Sequence, residues 1–173
     1  MLKEEARKIG QTNRALLSKK ERKLKSHHIC LQAIQCIHDK NIIGIYMPIK
    51  EEVDTIEIVK YCFSHHKIVC IPKVIGNTLS FYPISSFSDV KEGTFHVLEP
   101  TTNMPISIED IDILFVPLSS YDKYGNRCGY GKGYYDSILK RSSYKIGLAF
   151  SEQEVNKIEI EEHDVPLDKV ISF

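Results

Sequence analysis

The chain has 173 residues, of which 42% are hydrophobic and 27% charged, and this suits one globular domain with a sizeable core, over residues 1–173. Its 23 basic and 23 acidic residues balance, so we expect neither nucleic acid nor a membrane surface as a partner. No apolar run reaches the length of a membrane span, and the first residues lack the apolar region of a secretion signal.

Two helices are predicted at the start of the chain. Apolar residues at helical spacing place the first over residues 2–17. Ser18 to Glu21 has the pattern of a capping box, which starts a second helix at 19–39. The second helix is expected to bury five apolar side chains: Leu24, Ile29, Leu31, Ile34 and Ile37.

Strands and helices alternate through the rest of the chain. Apolar runs predict strands at 42–47, 67–71, 111–117, 145–150 and 169–172, with helices at 54–64, 134–141 and 151–156. Residues 79–83 alternate in polarity, which favours an edge or antiparallel strand, and 84–110 is predicted to be rich in loops.

This alternation predicts an α/β fold. Near-continuous apolar strands are typical of parallel sheets that are covered on both faces. We therefore predict an open, mainly parallel sheet flanked by helices on both faces, with an N-terminal helical segment. Such sheets bind ligands outside the carboxyl ends of their strands, so the loops after Met47, Ile71, Val116 and Phe150 should form one functional edge.

The most informative segment runs from Asp122 to Asp136, DKYGNRCGYGKGYYD. Its glycines allow backbone N–H groups to approach an anion, and the helix start that follows adds a positive dipole end. Arg127 and Lys132 supply charge, and Asp136 can hold magnesium. The spacing matches neither Walker A nor the dinucleotide fingerprint. A polyphosphate site is favoured over an ordinary glycine-rich turn, because a turn explains neither the cations nor the terminal carboxylate.

The five cysteines favour a reducing compartment. Their number is odd and no two have Cys-x-x-Cys spacing, so we expect free thiols and a cytoplasmic location. Cys128 lies inside the glycine-rich segment. No sequence feature marks a base beside it, which favours a filler of the loop over a catalytic thiol.

The stretch from Arg127 to Asp136, RCGYGKGYYD, resembles the signature of the 5-formyltetrahydrofolate cyclo-ligase family. The resemblance covers nearly the whole chain. It includes the basic start of the first helix, Glu52 to Thr55, Pro72, Glu99-Pro100, and a C-terminal segment with Gly147 to Phe150, Gln153 and His163-Asp164. It implies a monomeric, cytoplasmic ligase that uses Mg²⁺ and ATP to cyclise 5-formyltetrahydrofolate to 5,10-methenyltetrahydrofolate. ADP and phosphate are released through a phosphorylated formyl intermediate.

The resemblance also implies roles for individual residues. Lys132, Arg127 and Tyr135 would be catalytic, and Asp136 and Asp164 would hold Mg²⁺. The folate would contact Met47, Glu52, Tyr130 and Tyr134. ATP would contact Lys3, Arg7, Arg127, Gly129, Tyr130, Gly131, Lys132, Gly133, Tyr134 and Tyr135.

Simpler interpretations stay open for several of these residues. Lys3 and Arg7, one helical turn apart, suit a solvated face, and Tyr134 suits core packing. Asp136 suits a charge in the first turn of a helix, and Asp164 suits a turn cap before Pro166.

The chain departs from the family pattern at Leu118–Tyr121, Phe95–Leu98 and Cys128, which concerns the folate side more than ATP. A non-catalytic nucleotide- or folate-binding module on the same fold is the main alternative. A sugar-phosphate or coenzyme-A-type enzyme of the same architecture is a third. Lys3, Arg7 and Glu52 argue against this third interpretation.

Overall fold

A mixed six-stranded sheet lies at the centre of the computed structural model, which describes residues 1–173. The chain forms ten strands: β1 (Ile42–Gly44), β2 (Ile68–Ile75), β3 (Thr78–Ile84), β4 (Val90–Glu92), β5 (Leu98–Pro100), β6 (Ile113–Val116), β7 (Ser120–Tyr121), β8 (Arg127–Cys128), β9 (Lys145–Ala149) and β10 (Lys169–Ser172). It forms four helices: α1 (Lys3–Ala15), α2 (Lys19–Ile37), α3 (Ile56–Ser64) and α4 (Asp136–Leu139).

The predicted α/β fold, with its mainly parallel sheet, is confirmed. The strand order is β10-β9-β6-β1-β2-β3, and only β3 pairs antiparallel with its neighbour. A core cluster of 22 buried residues draws on α2 and α3, and a second cluster of 13 draws on α4 and nearby turns. None of the helices is both long and apolar enough to cross a membrane.

The start of α2 follows the prediction, but the face that it buries does not. The Ser18 hydroxyl accepts from the Glu21 backbone N–H at 3.0 Å, and the Ser18 N–H donates to the Glu21 carboxylate at 2.9 Å. Leu24 and Leu31, which were expected to be buried, are 59% and 45% exposed. They lie off the helical stripe that enters the core: Ser26, Ile29, Cys30, Ala33 and Ile37.

Local structure differs from the sequence prediction in the connecting segments. Residues 84–110 contain the β4–β5 hairpin, and 151–156 forms only a 3₁₀ turn at Ser151–Gln153. The helix predicted over 134–141 is confined to α4. Gly131 and Gly133 have φ values of 91° and 70°, and this left-handed backbone delays the start of the helix.

Close packing at Gly10 sets the position of α1. A Cβ at this position would lie 2.0 Å from the Ser119 carbonyl oxygen, so only glycine allows the helix to lie directly on β7. Three cations on one face of α1, Lys3, Arg7 and Arg14, are thereby brought to the glycine-rich segment and the C-terminal segment.

Candidate active site

The glycine-rich segment begins as the β7–β8 hairpin, which is anchored by one buried carboxylate. Asp122, only 2% exposed, accepts hydrogen bonds from Tyr124 N–H at 2.9 Å and from Ile158 N–H at 2.9 Å. It also accepts from the backbone and side-chain nitrogens of Asn126 at 3.1 and 3.0 Å. Asp122 was assigned no role from the sequence, although an Asp ahead of Gly125-Asn126 is typical of a turn that folds around a carboxylate.

Arg127 fixes the next part of the segment. Its guanidinium, 6% exposed, donates to the Pro117 carbonyl at 3.0 Å and lies 3.7 Å from the Asp136 carboxylate and 5.5 Å from the centre of the Tyr135 ring. Burial lowers the pKa of Arg127, and the Asp136 carboxylate opposes this shift. The buried Nε has no hydrogen-bond partner. The guanidinium is thus fixed in position with one N–H unpaired, and such a group is suited to bind an anion.

The cations of α1 have defined partners. Lys3 Nζ pairs with Asp164 Oδ2 at 2.5 Å, and Arg7 Nε donates to the Gly129 carbonyl at 2.8 Å. The Arg7 guanidinium carbon also lies 3.6 Å from where a Cβ at Gly131 would sit. Lys3 therefore faces the C-terminal segment and Arg7 faces the glycine-rich segment. This face of α1 is not purely solvated.

Lys132 stands at the exposed tip of the segment. It makes neither a hydrogen bond nor an ion pair, and glycines flank it on both sides. Tyr134 and Tyr135 are partly buried and pack against the 13-residue core cluster, so packing is at least part of the role of Tyr134. Burial raises the pKa of Tyr135, which keeps its phenol protonated as a donor.

Glu52 reaches the glycine-rich segment from the loop after β1. One carboxylate oxygen accepts from the Ile49 N–H at 2.8 Å, and the other accepts from the Tyr130 hydroxyl at 3.1 Å. Glu52 is only 9% exposed, and this burial raises its pKa to about 7. Two regions that lie far apart in sequence thus meet at this carboxylate.

Arg14 completes this contact and was assigned no role from the sequence. It is 5% exposed, and its Nη1 donates to the Tyr130 hydroxyl at 2.9 Å. The spacing of Lys3, Arg7 and Arg14 places all three on one helical face, and this periodicity is the signal that identifies Arg14.

Met47, at the end of the segment that extends β1, lines an open, mostly apolar cavity of about 340 Å³. Met47 itself is 5% exposed. The other lining residues come from α3, the 3₁₀ turn at 87–89 and the β4–β5 hairpin: Ile56, Lys60, Phe87, Val90 and Leu98. Five of these six lining residues are hydrophobic and Lys60 is the exception, and a mostly apolar lining of this kind suits an organic ring.

The two predicted metal residues, Asp136 and Asp164, each lie beside a cation. The 52% exposed Asp136 carboxylate lies beside Arg127, while Asp164 lies beside Lys3. Partial burial opposes ionisation of Asp164, but the Glu161 N–H at 2.7 Å and Lys3 hold its pKa below the usual value. No group of three or more acidic, histidine or cysteine side chains is gathered as a metal site. Mg²⁺ takes one or two carboxylates when phosphates and water complete its shell.

Known proteins resemble this chain along its length. The family model for the 5-formyltetrahydrofolate cyclo-ligase family matches residues 1–172. The 5-formyltetrahydrofolate cyclo-ligase of Haemophilus influenzae is 30% identical, covering 98% of this chain and 95% of the relative. The enzyme of the same name from Mus musculus is 32% identical over 75% of this chain and 71% of its own length.

Solved structures agree with these sequence comparisons. The 5,10-methenyltetrahydrofolate synthetase of Aquifex aeolicus has a TM-score of 0.82 and 32% identity, covering 99% of this chain and 90% of that one. The synthetase of Mycoplasma pneumoniae has a TM-score of 0.80 and 27% identity, covering 98% and 97%. The family predicted from the glycine signature is thus confirmed: the chain belongs to the 5-formyltetrahydrofolate cyclo-ligase family.

Proposed function

We propose that the protein cyclises 5-formyltetrahydrofolate to 5,10-methenyltetrahydrofolate with ATP and Mg²⁺, releasing ADP and phosphate. Membership of the family supports the overall reaction. The observation that carries the proposal is the 3.1 Å hydrogen bond from Tyr130 to Glu52. It joins a glycine-rich segment suited to polyphosphate to a buried carboxylate suited to a pterin, so both substrates would bind at one edge of the sheet.

The chemistry requires both substrates in one place. The formyl oxygen is a poor leaving group, so it first attacks the γ-phosphorus of ATP and displaces ADP. N10 of the folate then attacks the activated formyl carbon, the ring closes, and phosphate leaves with the former formyl oxygen. Such a phosphoryl transfer depends chiefly on alignment and on neutralisation of the charge on the phosphoryl oxygens.

The phosphate side of the site would supply this alignment. Lys132, which has no partner within the protein, would contact the transferred phosphoryl group. Arg127 would bind ATP from its fixed, buried position, and the protonated Tyr135 phenol would donate a hydrogen bond. The remaining ATP contacts would come from Lys3, Arg7, Gly129, Tyr130, Gly131, Gly133 and Tyr134.

The carboxylates of Asp136 and Asp164 would hold Mg²⁺ together with phosphate oxygens. When bound, the ion would neutralise charge on the transferring phosphate. Because Arg127 and Lys3 now pair with these two carboxylates, binding of magnesium nucleotide would free both cations to contact phosphate.

The folate side would bind through one carboxylate and an apolar cavity. Glu52 can accept two hydrogen bonds from the amide–amine edge of a pterin. Met47 and its cavity would receive the ring system, with Tyr130 and Tyr134 beside the reacting groups. We also infer that residues 1–173 act as a single domain and as a monomer. The five free cysteines support a cytoplasmic location for it.

Absorbance of 5,10-methenyltetrahydrofolate tests the proposal. The purified protein should form it from 5-formyltetrahydrofolate only when ATP and magnesium are both present. Tight binding of folate and ATP without any product would instead support the non-catalytic module. Equal turnover under EDTA would remove the proposed role of Asp136 and Asp164.

A further inference from the structure

Three side chains from distant parts of the chain form a directed hydrogen-bond relay. Arg14 of α1 donates to the Tyr130 hydroxyl at 2.9 Å, and that hydroxyl donates to Glu52 at 3.1 Å. The direction of both bonds is fixed, because a guanidinium can only donate and the phenol has one proton to give. The relay thus runs from a cation, through a neutral phenol, to a carboxyl group.

Burying this arrangement costs free energy of folding, which points to a functional role for it. Arg14 and Glu52 are 5% and 9% exposed, so both lose most of their hydration. They make no direct ion pair, and the buried Nε of Arg14 has no partner. Because the two charges are not in direct contact, they lack most of the attraction that offsets desolvation in a buried ion pair. The interposed Tyr130 leaves the carboxylate only partly engaged, with lone pairs free for a ligand.

We propose that Arg14 is a positioning residue that acts through Tyr130 to orient the Glu52 carboxylate and keep it ionised for the pterin. This inference deepens the proposed function and rests on it. Arg14 itself would touch neither substrate. Its effect reaches the folate through the phenol.

The groups around Glu52 indicate which way its proton equilibrium should move. From the extension of β1 comes the Tyr46 phenol, and from the glycine-rich segment come the phenols of Tyr130 and Tyr135. Burial raises the pKa of Glu52, whereas the hydrogen bonds from Ile49 and Tyr130 and the charge of Arg14 lower it. Arg14 is the cation that acts on this carboxylate, so its loss should raise the pKa further.

A titration of the ligand-free protein tests the relay by itself. The ¹³C side-chain signal of Glu52, assigned by its absence from Glu52→Gln, gives the midpoint directly. Arg14→Met should raise this midpoint by about one pH unit, because it removes the positive charge that favours the ionised carboxylate. Arg14→Lys keeps the charge and should leave the midpoint near the wild-type value. An unmoved midpoint in folded Arg14→Met overturns the proposal.

Tyr130→Phe provides a second, independent variant. Its ring is 40% exposed, so the change should be tolerated even if Arg14→Met does not fold. It should raise the midpoint by removing a hydrogen bond to the charged form. If the Glu52 signal titrates in this variant as in the wild type, the relay does not act on the carboxylate.

Affinity for 5-formyltetrahydrofolate across pH adds the functional readout. Wild-type affinity should fall as the pH drops through about 7, and in Arg14→Met this fall should move upward by the same amount as the NMR midpoint. If Arg14→Met lowered the folate affinity equally at every pH, and Arg14→Lys did not restore it, the role of Arg14 would be merely structural. If no folate binds to the wild type at all, the proposed function fails, while the ligand-free titration still decides on the relay.

Discussion

The two halves of the candidate site are built in different ways. The phosphate half consists of the segment from Asp122 to Asp136 and one face of α1, and hydrogen bonds and ion pairs hold it in place. The folate half consists of a cavity around Met47 and the Glu52 carboxylate, and apolar packing shapes it. A phosphate needs many N–H groups and cations close together, which a contiguous motif provides. A planar ring needs apolar walls, which can come from anywhere in the chain.

This contrast predicts that polar substitutions in the phosphate half disturb folding, chemistry or the affinity for ATP, whereas those in the folate half disturb the affinity for folate alone. The largest expected effect concerns Asp122. Asp122→Ala leaves four donors unsatisfied, three in the turn of the β7–β8 hairpin and one at Ile158, so the free energy of unfolding should fall by about 3–5 kcal/mol in denaturant titrations. The exposed Asp110→Ala is the control and should lose little. A loss below about 1 kcal/mol for Asp122→Ala would show that the segment is not anchored there.

Removing Lys132 should affect chemistry without affecting stability. Lys132→Ala should lower kcat by roughly 100-fold or more, as when other preorganised electrostatic contacts are removed. Because Lys132 has no partner within the protein, the melting temperature should be unchanged. Lys140→Ala, which removes an exposed lysine beyond α4, should retain the wild-type kcat. An unchanged kcat in Lys132→Ala takes this residue out of the mechanism.

Glu52→Gln should weaken the folate and spare ATP. The change keeps the shape but replaces one acceptor oxygen with a donor, which then faces a donor of the pterin. The loss of a charged hydrogen bond costs about 1.5–3 kcal/mol, so the folate Kd measured by calorimetry should rise roughly 10- to 100-fold. Glu51→Gln, at the neighbouring position, should bind as the wild type. Reduced ATP affinity with normal folate affinity would contradict the assignment of this loop.

The smallest effect should come from Arg7. Arg7→Ala removes one phosphate contact but leaves Lys3 and the glycine-rich segment, so the ATP Kd should rise about 10-fold. Folate binding without nucleotide should be nearly unchanged. The exposed Lys8→Ala controls for loss of charge on α1. Folate affinity that falls together with ATP affinity would mean that the two halves are not separate.

The same contrast explains what could be predicted from the sequence. The parallel sheet followed from short apolar runs, and the capping box located the start of α2. The phosphate half was recognisable because its glycines, cations and carboxylate are adjacent in the chain. On the folate side the sequence predicted contacts from Met47, Glu52, Tyr130 and Tyr134. It gave no role to Val90 and Leu98, because they reach the cavity through a hairpin that was predicted to be loop.

The remaining misses share a physical cause. Leu24 and Leu31 have apolar side chains, but the direction that a helix buries depends on the sheet beneath it, which local sequence does not specify. Arg14 and Asp122 carry local signals, a helical spacing and a turn pattern, but these signals do not reveal which distant residues the two side chains contact. Arg14 bonds to Tyr130, 116 residues away, and Asp122 bonds to Ile158 as well as to its own turn, and these distant partners are a property of tertiary packing.

The fate of the formyl oxygen shows whether ATP phosphorylates the formyl group. In 5-formyltetrahydrofolate labelled with ¹⁸O in the formyl group, the proposed route carries the label into the phosphate that leaves on ring closure. Mass spectrometry of the phosphate released with Mg-ATP should show one ¹⁸O for each methenyl product. Unlabelled phosphate formed alongside the product would contradict phosphorylation of the formyl group, and with it the account of a site that joins the two substrates.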